Sequence, residues 1–241
     1  MRLLAVLLFL LHPVWGGRNS GWLDVPAALL LGIDISHHQQ RINWQQLVES
    51  SEVHFAFVKA TEGSDFRDSL FAENWEWLRE MGIRRGAYHY FRPNRSGAVQ
   101  ARHFLSTVEF EPGDLVPVLD IETTDGLPPD IVLREIFEWL NVVERALRAR
   151  PIIYTNLRFY ERYLAGYLDD YPLWIARYSE EHPQLRSRHW HFWQYSEKGR
   201  LPGISRPVDL NVFRGTPQML DRFCWYPQEG LHSNEYSTTS P

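Results

Sequence analysis

The feature that most constrains this chain is an alternation. Eight short runs rich in β-branched and aromatic residues follow one another, at 30–36, 54–61, 83–91, 115–122, 151–156, 173–178, 189–196 and 208–213. Amphipathic stretches separate the early runs, at 43–50, 68–81, 97–109 and from Pro128 to Arg150. The last of these places Ile131, Ile136, Trp139, Leu140, Val143 and Leu147 on one face at helical spacing. Between the late runs the helices are short or absent. Regular strand–helix alternation predicts a parallel sheet with helices packed outside it. Eight strands without an intervening linker favour an α/β fold, a modified TIM-like barrel with reduced or missing helices in its C-terminal half. An open, doubly wound sheet is the alternative.

With 44% hydrophobic residues and ten tryptophans, 241 residues can fill one large core. The net charge of −5, scattered rather than in blocks, leaves no basic footprint for nucleic acid. Residues 1–17 carry Arg2, a short apolar run and then Pro13, Gly16 and Gly17. That run falls short of the roughly 20 residues that span a bilayer. It reads as a secretory signal, with an uncleaved anchor as the alternative, so a secreted or periplasmic location is expected. No later segment reads as transmembrane, and no stable membrane partner is expected apart from such an anchor. Cys224 is the sole cysteine, which rules out an internal disulfide. The barrel is expected over 30–223, with a polar, flexible tail over 225–241.

In a parallel barrel the loops after the strands form the pocket, so polar residues at strand ends mark it. Asp34, Ser36 and His37 end the first run; Tyr88, His89 and Tyr90 end the third; Asp120 and Glu122 close the fourth. Tyr154 and Asn156 close the fifth, Trp174 and Tyr178 flank the sixth, and Gln194 lies late in the seventh. Asp209 breaks the pattern by opening the last run, which requires an earlier strand start or a loop position. Acids, amides and rings at one mouth suit a sugar, whose C–H faces stack on aromatics while its hydroxyls meet polar groups. Asp120 and Glu122 stand at i and i+2, about 6.6–6.8 Å apart at Cα and on one face. Two close carboxyls repel, raising one pKa so that it can act as an acid near neutral pH.

Each feature alone has a plainer reading. D-x-E ends many strands by chance, Asp34 could cap a turn, and single tryptophans such as Trp174 or Trp193 are often core. His37, His38 and His89 lack metal-binding spacing, so no metal or other cofactor is expected. The Asn94–Ser96 sequon is short enough to be uninformative. No G-x-S-x-G elbow or phosphate loop is present.

Taken together, "GIDISHHQ", "FAFVKATEG", "GAYHYFRP", "PVLDIE", "PIIYTN", "LWIARY", "FWQYS" and "VDLNVF" resemble, in order, the motifs of glycoside hydrolase family 25 lysozymes from about Gly32 to Phe213. The resemblance implies a modified β/α barrel that hydrolyses the β-1,4 bond between N-acetylmuramic acid and N-acetylglucosamine in peptidoglycan. It implies Glu122 as general acid, Asp120 as its partner, Asp34 and Asp209 in the same acidic pocket, and Tyr88 and Tyr154 along the sugar site. Trp174 and Gln194 join the binding residues from their places at the mouth. Peptidoglycan strands are the expected partner, and a monomer the default state. A non-catalytic glycan-binding barrel and a hydrolase of another N-acetylated glycan such as chitin are the alternatives. Retention through the substrate's 2-acetamido group competes with inversion through a water activated by Asp34 or Asp209.

Overall fold

A computed structural model describes residues 29–186 and 188–227; the expected leader and nearly all of the expected tail lie outside them. The strands are β1 (Leu29–Ile35), β2 (Phe55–Glu62), β3 (Phe66–Arg67), β4 (Arg84–Tyr90), β5 (Val118–Asp120), β6 (Ile152–Asn156), β7 (Leu173–Ala176), β8 (Phe192–Gly199) and β9 (Val208–Arg214). Their order is β1-β9-β8-β7-β6-β5-β4-β2-β3, and β1 also pairs with β2, which closes the sheet into a barrel. The short β3 lies outside the closure. Because β1 ends at Ile35 opposite Val58, the edge of β2 beyond it is free, and β3 covers Thr61 and Glu62 there.

All neighbours from β1 through β2 to β8 in the barrel are parallel, but β9 runs antiparallel to both β8 and β1. The all-parallel expectation therefore needs correction at its last strand. The chain passes from β8 to β9 without an intervening helix, and antiparallel neighbours need no crossover. The fourth expected strand is also shorter than 115–122. Pro117 has no N–H to donate, and after a last bond from the Ile121 N–H to the Tyr154 carbonyl the chain leaves the ladder.

Helices α1 (Trp44–Ser50), α2 (Phe71–Glu80), α3 (Gly97–Thr107) and α4 (Pro129–Leu147) cover the first half. Side-chain caps start two of them: Asn43 accepts from the Gln46 N–H and Ser96 from the Val99 N–H. Pro129 opens α4, where a missing N–H costs nothing. Its buried face is Val132, Ile136, Trp139, Leu140 and Val143, with Ile131 and Leu147 turned partly outward. Later helices shrink to α5 (Leu157–Phe159), continued by a π turn over Tyr160–Leu164, and α6 (Pro217–Leu220).

Two apolar cores result. An outer one joins the strands' outward faces to the helices, around Ile33, Val58, Phe104, Trp139 and Ile175. An inner one fills the barrel with Phe55, Phe57, Val118, Ile152, Tyr154, Trp174, Phe192 and Phe213. The inner rings interlock: Phe57 stacks on Trp174 at 4.4 Å between centroids, and Tyr154 lies 4.3 Å from the same indole. Leu220, Phe223, Cys224 and Trp225 join this core at the end where the parallel strands begin. The expected tail thus starts too early. The Trp225 indole donates to the Leu147 carbonyl at 2.9 Å and its backbone N–H to Asp114 at 2.6 Å, so Trp225 belongs to the folded body.

The inner rings need room, which Gly32 and Gly86 supply. A Cβ at Gly32 would stand 2.3 Å from Phe55 Cζ, and one at Gly86 2.6 Å from Phe57 Cδ1. Gly32→Ala is expected to cost about 1–3 kcal/mol through overpacking. Thermal denaturation should show the loss, and adding Phe55→Leu should recover part of it.

Candidate active site

Inward-facing residues change character along the barrel, from the rings of the inner core to polar groups at the mouth. Pairing fixes who meets whom there. Tyr90 on β4 is level with Asp120 on β5, Asp120 with Tyr154 on β6, and Tyr154 with Trp174 on β7. Gln194 on β8 is level with Asn211 on β9, and Asp34 on β1 with Asp209. Since β9 is antiparallel, its first residues lie at the mouth where its neighbours end. That resolves the anomaly of Asp209: neither an early strand start nor a loop is needed.

Asp34 is held by two amides. Its Oδ2 accepts from Gln194 Nε2 and from Asn211 Nδ2, both at 2.8 Å. Each amide is oriented in turn. The Tyr154 and Tyr178 hydroxyls donate to Gln194 Oε1 at 2.8 and 3.0 Å, and Trp174 Nε1 donates to Asn211 Oδ1 at 2.8 Å. Trp174 is only 2% exposed, so it forms the floor beneath the acids and reaches them through Asn211. Gln194, equally buried, is the hub between two phenols and Asp34. Tyr178, 53% exposed, extends the wall outward from that hub.

Four carboxyls meet at this mouth in two pairs. Burial is the largest cause of a raised pKa in all four. Asp209 is pushed up to about 8, by burial first and then by the charge of Asp34, with which it shares a hydrogen bond. The two amide donors oppose the rise at Asp34. Asp120 lies well above the carboxylate range, through burial and the charge of Glu122. Glu122 is also raised by burial, against a hydrogen bond from Asp120 that lowers it. Lys59 lowers both members of this second pair. Asp120 Oδ1 is buried without a hydrogen-bond partner, whereas Glu122 is only half-buried. Burial also lifts the phenols of Tyr88 and Tyr154 far above their ordinary value, and the acids around them add to it.

Not every polar residue at a strand end belongs here. His89 faces outward, bonded to Thr61 Oγ1 at 2.7 Å and Gln100 Oε1 at 3.1 Å and stacked on Trp139. Burial drops its pKa to about 3, so it is a neutral structural group. Conversely, two residues of the mouth escaped the sequence reading. Asn211 lies two residues beyond Asp209 and so shares its face, a signal present in "VDLNVF". Lys59 continues the inward period of Phe55 and Phe57, where a charge breaks the apolar run.

Residues 33–204 match the family model described as glycosyl hydrolases family 25. The uncharacterized protein YegX of Escherichia coli K12 is 44% identical over 206 residues, spanning 83% of this chain and 76% of its own. Lysozyme M1 of Streptomyces globisporus is 36% identical over 204 residues, spanning 78% of this chain and 69% of its own. Among solved structures, the bacterial lysozyme from Streptomyces coelicolor superposes with a TM-score of 0.76 at 32% identity, covering 80% of this chain and 96% of that one.

The raised pKa of Asp209 has a consequence for stability. Its neutral form is favoured in the fold, so the contribution is complete below about pH 4, the unfolded value, and is lost as pH rises through about 8. Asp209→Asn, which keeps a hydrogen-bond donor but cannot ionise, should melt higher than the parent at pH 8–9. The gap should close toward pH 4 when Tm is followed by calorimetry.

Proposed function

The chain belongs to glycosyl hydrolase family 25, and on that premise we propose that it is a lysozyme-type peptidoglycan hydrolase whose Glu122 protonates the leaving oxygen. The bond cut is the β-1,4 link between N-acetylmuramic acid and N-acetylglucosamine. The observation that carries the assignment is the unequal burial of the two carboxyls of D-x-E. Glu122, half-buried, can reach a glycosidic oxygen in the pocket; Asp120, 5% exposed, can act only on what comes to it.

Asp120 has a task that fits its surroundings. Its orphaned Oδ1 accepts the N–H of the 2-acetamido group, and its other side shares a proton with Glu122. The acetamido oxygen attacks the anomeric carbon as the glycosidic C–O bond breaks and Glu122 gives its proton to the leaving oxygen. The shared proton having passed to Glu122, Asp120 is left as the carboxylate that balances the developing oxazolinium charge. Water, deprotonated by Glu122, then opens that ring with net retention, a recognised variant of glycoside hydrolysis. Asp34 and Asp209, across the mouth, hold charge and hydrogen bonds toward the same sugar. Tyr88, Tyr154 and Tyr178 line it, while Trp174, Gln194 and Asn211 position Asp34. A substrate in the cell wall lies outside the cell that makes the enzyme, and the leader at residues 1–17 is the proposed means of export.

Three measurements test this reading. Glu122→Gln should lower kcat on purified peptidoglycan by about 10²–10⁴-fold, the usual worth of a general acid. Mass spectrometry should find muramic acid at new reducing ends with the parent enzyme, and no cut in chitin oligomers. Proton NMR should show the β-anomer first; an initial α-anomer would replace the acetamido route with inversion by a water activated at Asp34 or Asp209.

A further inference from the structure

Along the β1–β4 side of the mouth, basic and aromatic side chains alternate in a row of which the acid chemistry uses Lys59 alone. The His37 ring is 6.0 Å from Phe66. Lys59 Nζ stands 5.5 Å from the centre of the Phe66 ring and 4.9 Å from that of Tyr90. The Arg92 guanidinium lies 5.2 Å from the same Tyr90 ring. Tyr90 is level with Asp120, so the row borders the catalytic pair directly.

Carboxylates behind the row fix it in place. Buried Asp68 accepts from the His37 backbone N–H at 3.0 Å and shares a 2.6 Å hydrogen bond with its ring. Glu62 accepts from Lys59 at 2.7 Å and from Arg92 Nε at 3.0 Å, and Asp125 takes Arg92 Nη1 at 3.4 Å. Gln100 clamps the Arg92 backbone through its N–H and its carbonyl, both at 2.9 Å. The guanidinium, 41% exposed, still has N–H groups to spare from its five. Beside it opens a groove of about 360 Å³, with Arg95 exposed at its edge, Phe66 as an apolar wall, Asp65 as an acceptor and Glu62 already engaged by Lys59 and Arg92.

The rim mixes charges where the floor does not: Glu62 and Asp125 are engaged by Arg92, and Arg95 adds a further guanidinium. Four carboxyls below disfavour an anion, whereas guanidinium groups at the rim, one held at Arg92 and one exposed at Arg95, bind carboxylates with charge-assisted hydrogen bonds. We infer that the row and its groove bind the peptide arm borne by the muramic residue, Arg92 and Arg95 meeting its carboxylates and Asp65 an amine. The inference rests on the muramidase reading and adds a preference to it: strands carrying charged peptide arms are cut faster than strands without that charge.

The test compares soluble glycan strands bearing peptide arms with the same strands after amidation of their carboxylates. With the parent enzyme, kcat/KM should fall by about tenfold on amidation, the worth of one charge-assisted hydrogen bond. In the double variant Arg92→Gln/Arg95→Gln that ratio should collapse to near one, and Arg92→Lys/Arg95→Lys should restore most of it. A structural role alone would slow both substrates equally and keep the ratio. Equal rates with the parent enzyme, or an unchanged ratio in the glutamine variant, overturns the inference while leaving the muramidase reading intact. Cleavage of neither strand removes both.

Discussion

The site depends on the closure of the barrel by a strand that runs backwards. Six parallel pairings carry the sheet from β1 to β8, and β9 then returns antiparallel between β8 and β1. That reversal sets Asp209 opposite Asp34 and brings the Asn211 amide onto Asp34 from beside it. With β9 parallel, the start of the strand would sit at the far end of the barrel, and the acidic mouth would lose two members. The fourth acid and the second amide are therefore products of topology as much as of residue type.

Beneath the mouth, packing and electrostatics are one problem. Phe57, Trp174 and Tyr154 form an aromatic floor that excludes water from the acids, and burial is the leading cause of every raised carboxyl pKa there. The same floor supplies the hydrogen-bond donors that keep Asp34 in register, since Tyr154 and Trp174 each reach it through one amide. Storing four acids in so small a volume works against stability, and the deep apolar filling of the barrel offsets it.

Most of the architecture was legible because two periods differ: alternation by two in the strands and by 3.6 in helices such as α4. The D-x-E pair was legible for the same reason, as an i, i+2 pair at the end of a buried strand. Direction was not. Period two reads the same from either end, so nothing in "VDLNVF" reports that β9 is reversed, and Asp209 looked misplaced. Depth was equally hidden. A tryptophan at a strand end can be platform or floor, and only the stacking on Phe57 separates the two for Trp174. Trp225 was lost to the polar composition of the residues after it, although a large ring is the one kind of residue there able to dock. Lys59 and Asn211 obeyed the inward period and could have been found by extending it from Phe57 and Asp209.

The order of synthesis gives the two-ended acid set a further meaning. Among the described residues, Asp34 lies on the first strand to leave the ribosome, and Asp209 and Asn211 on the last. A chain still being made carries D-x-E but lacks the residues that hold Asp34 and complete the mouth. The barrel cannot close before β9 arrives, so a wall-cutting activity is the final property the molecule acquires.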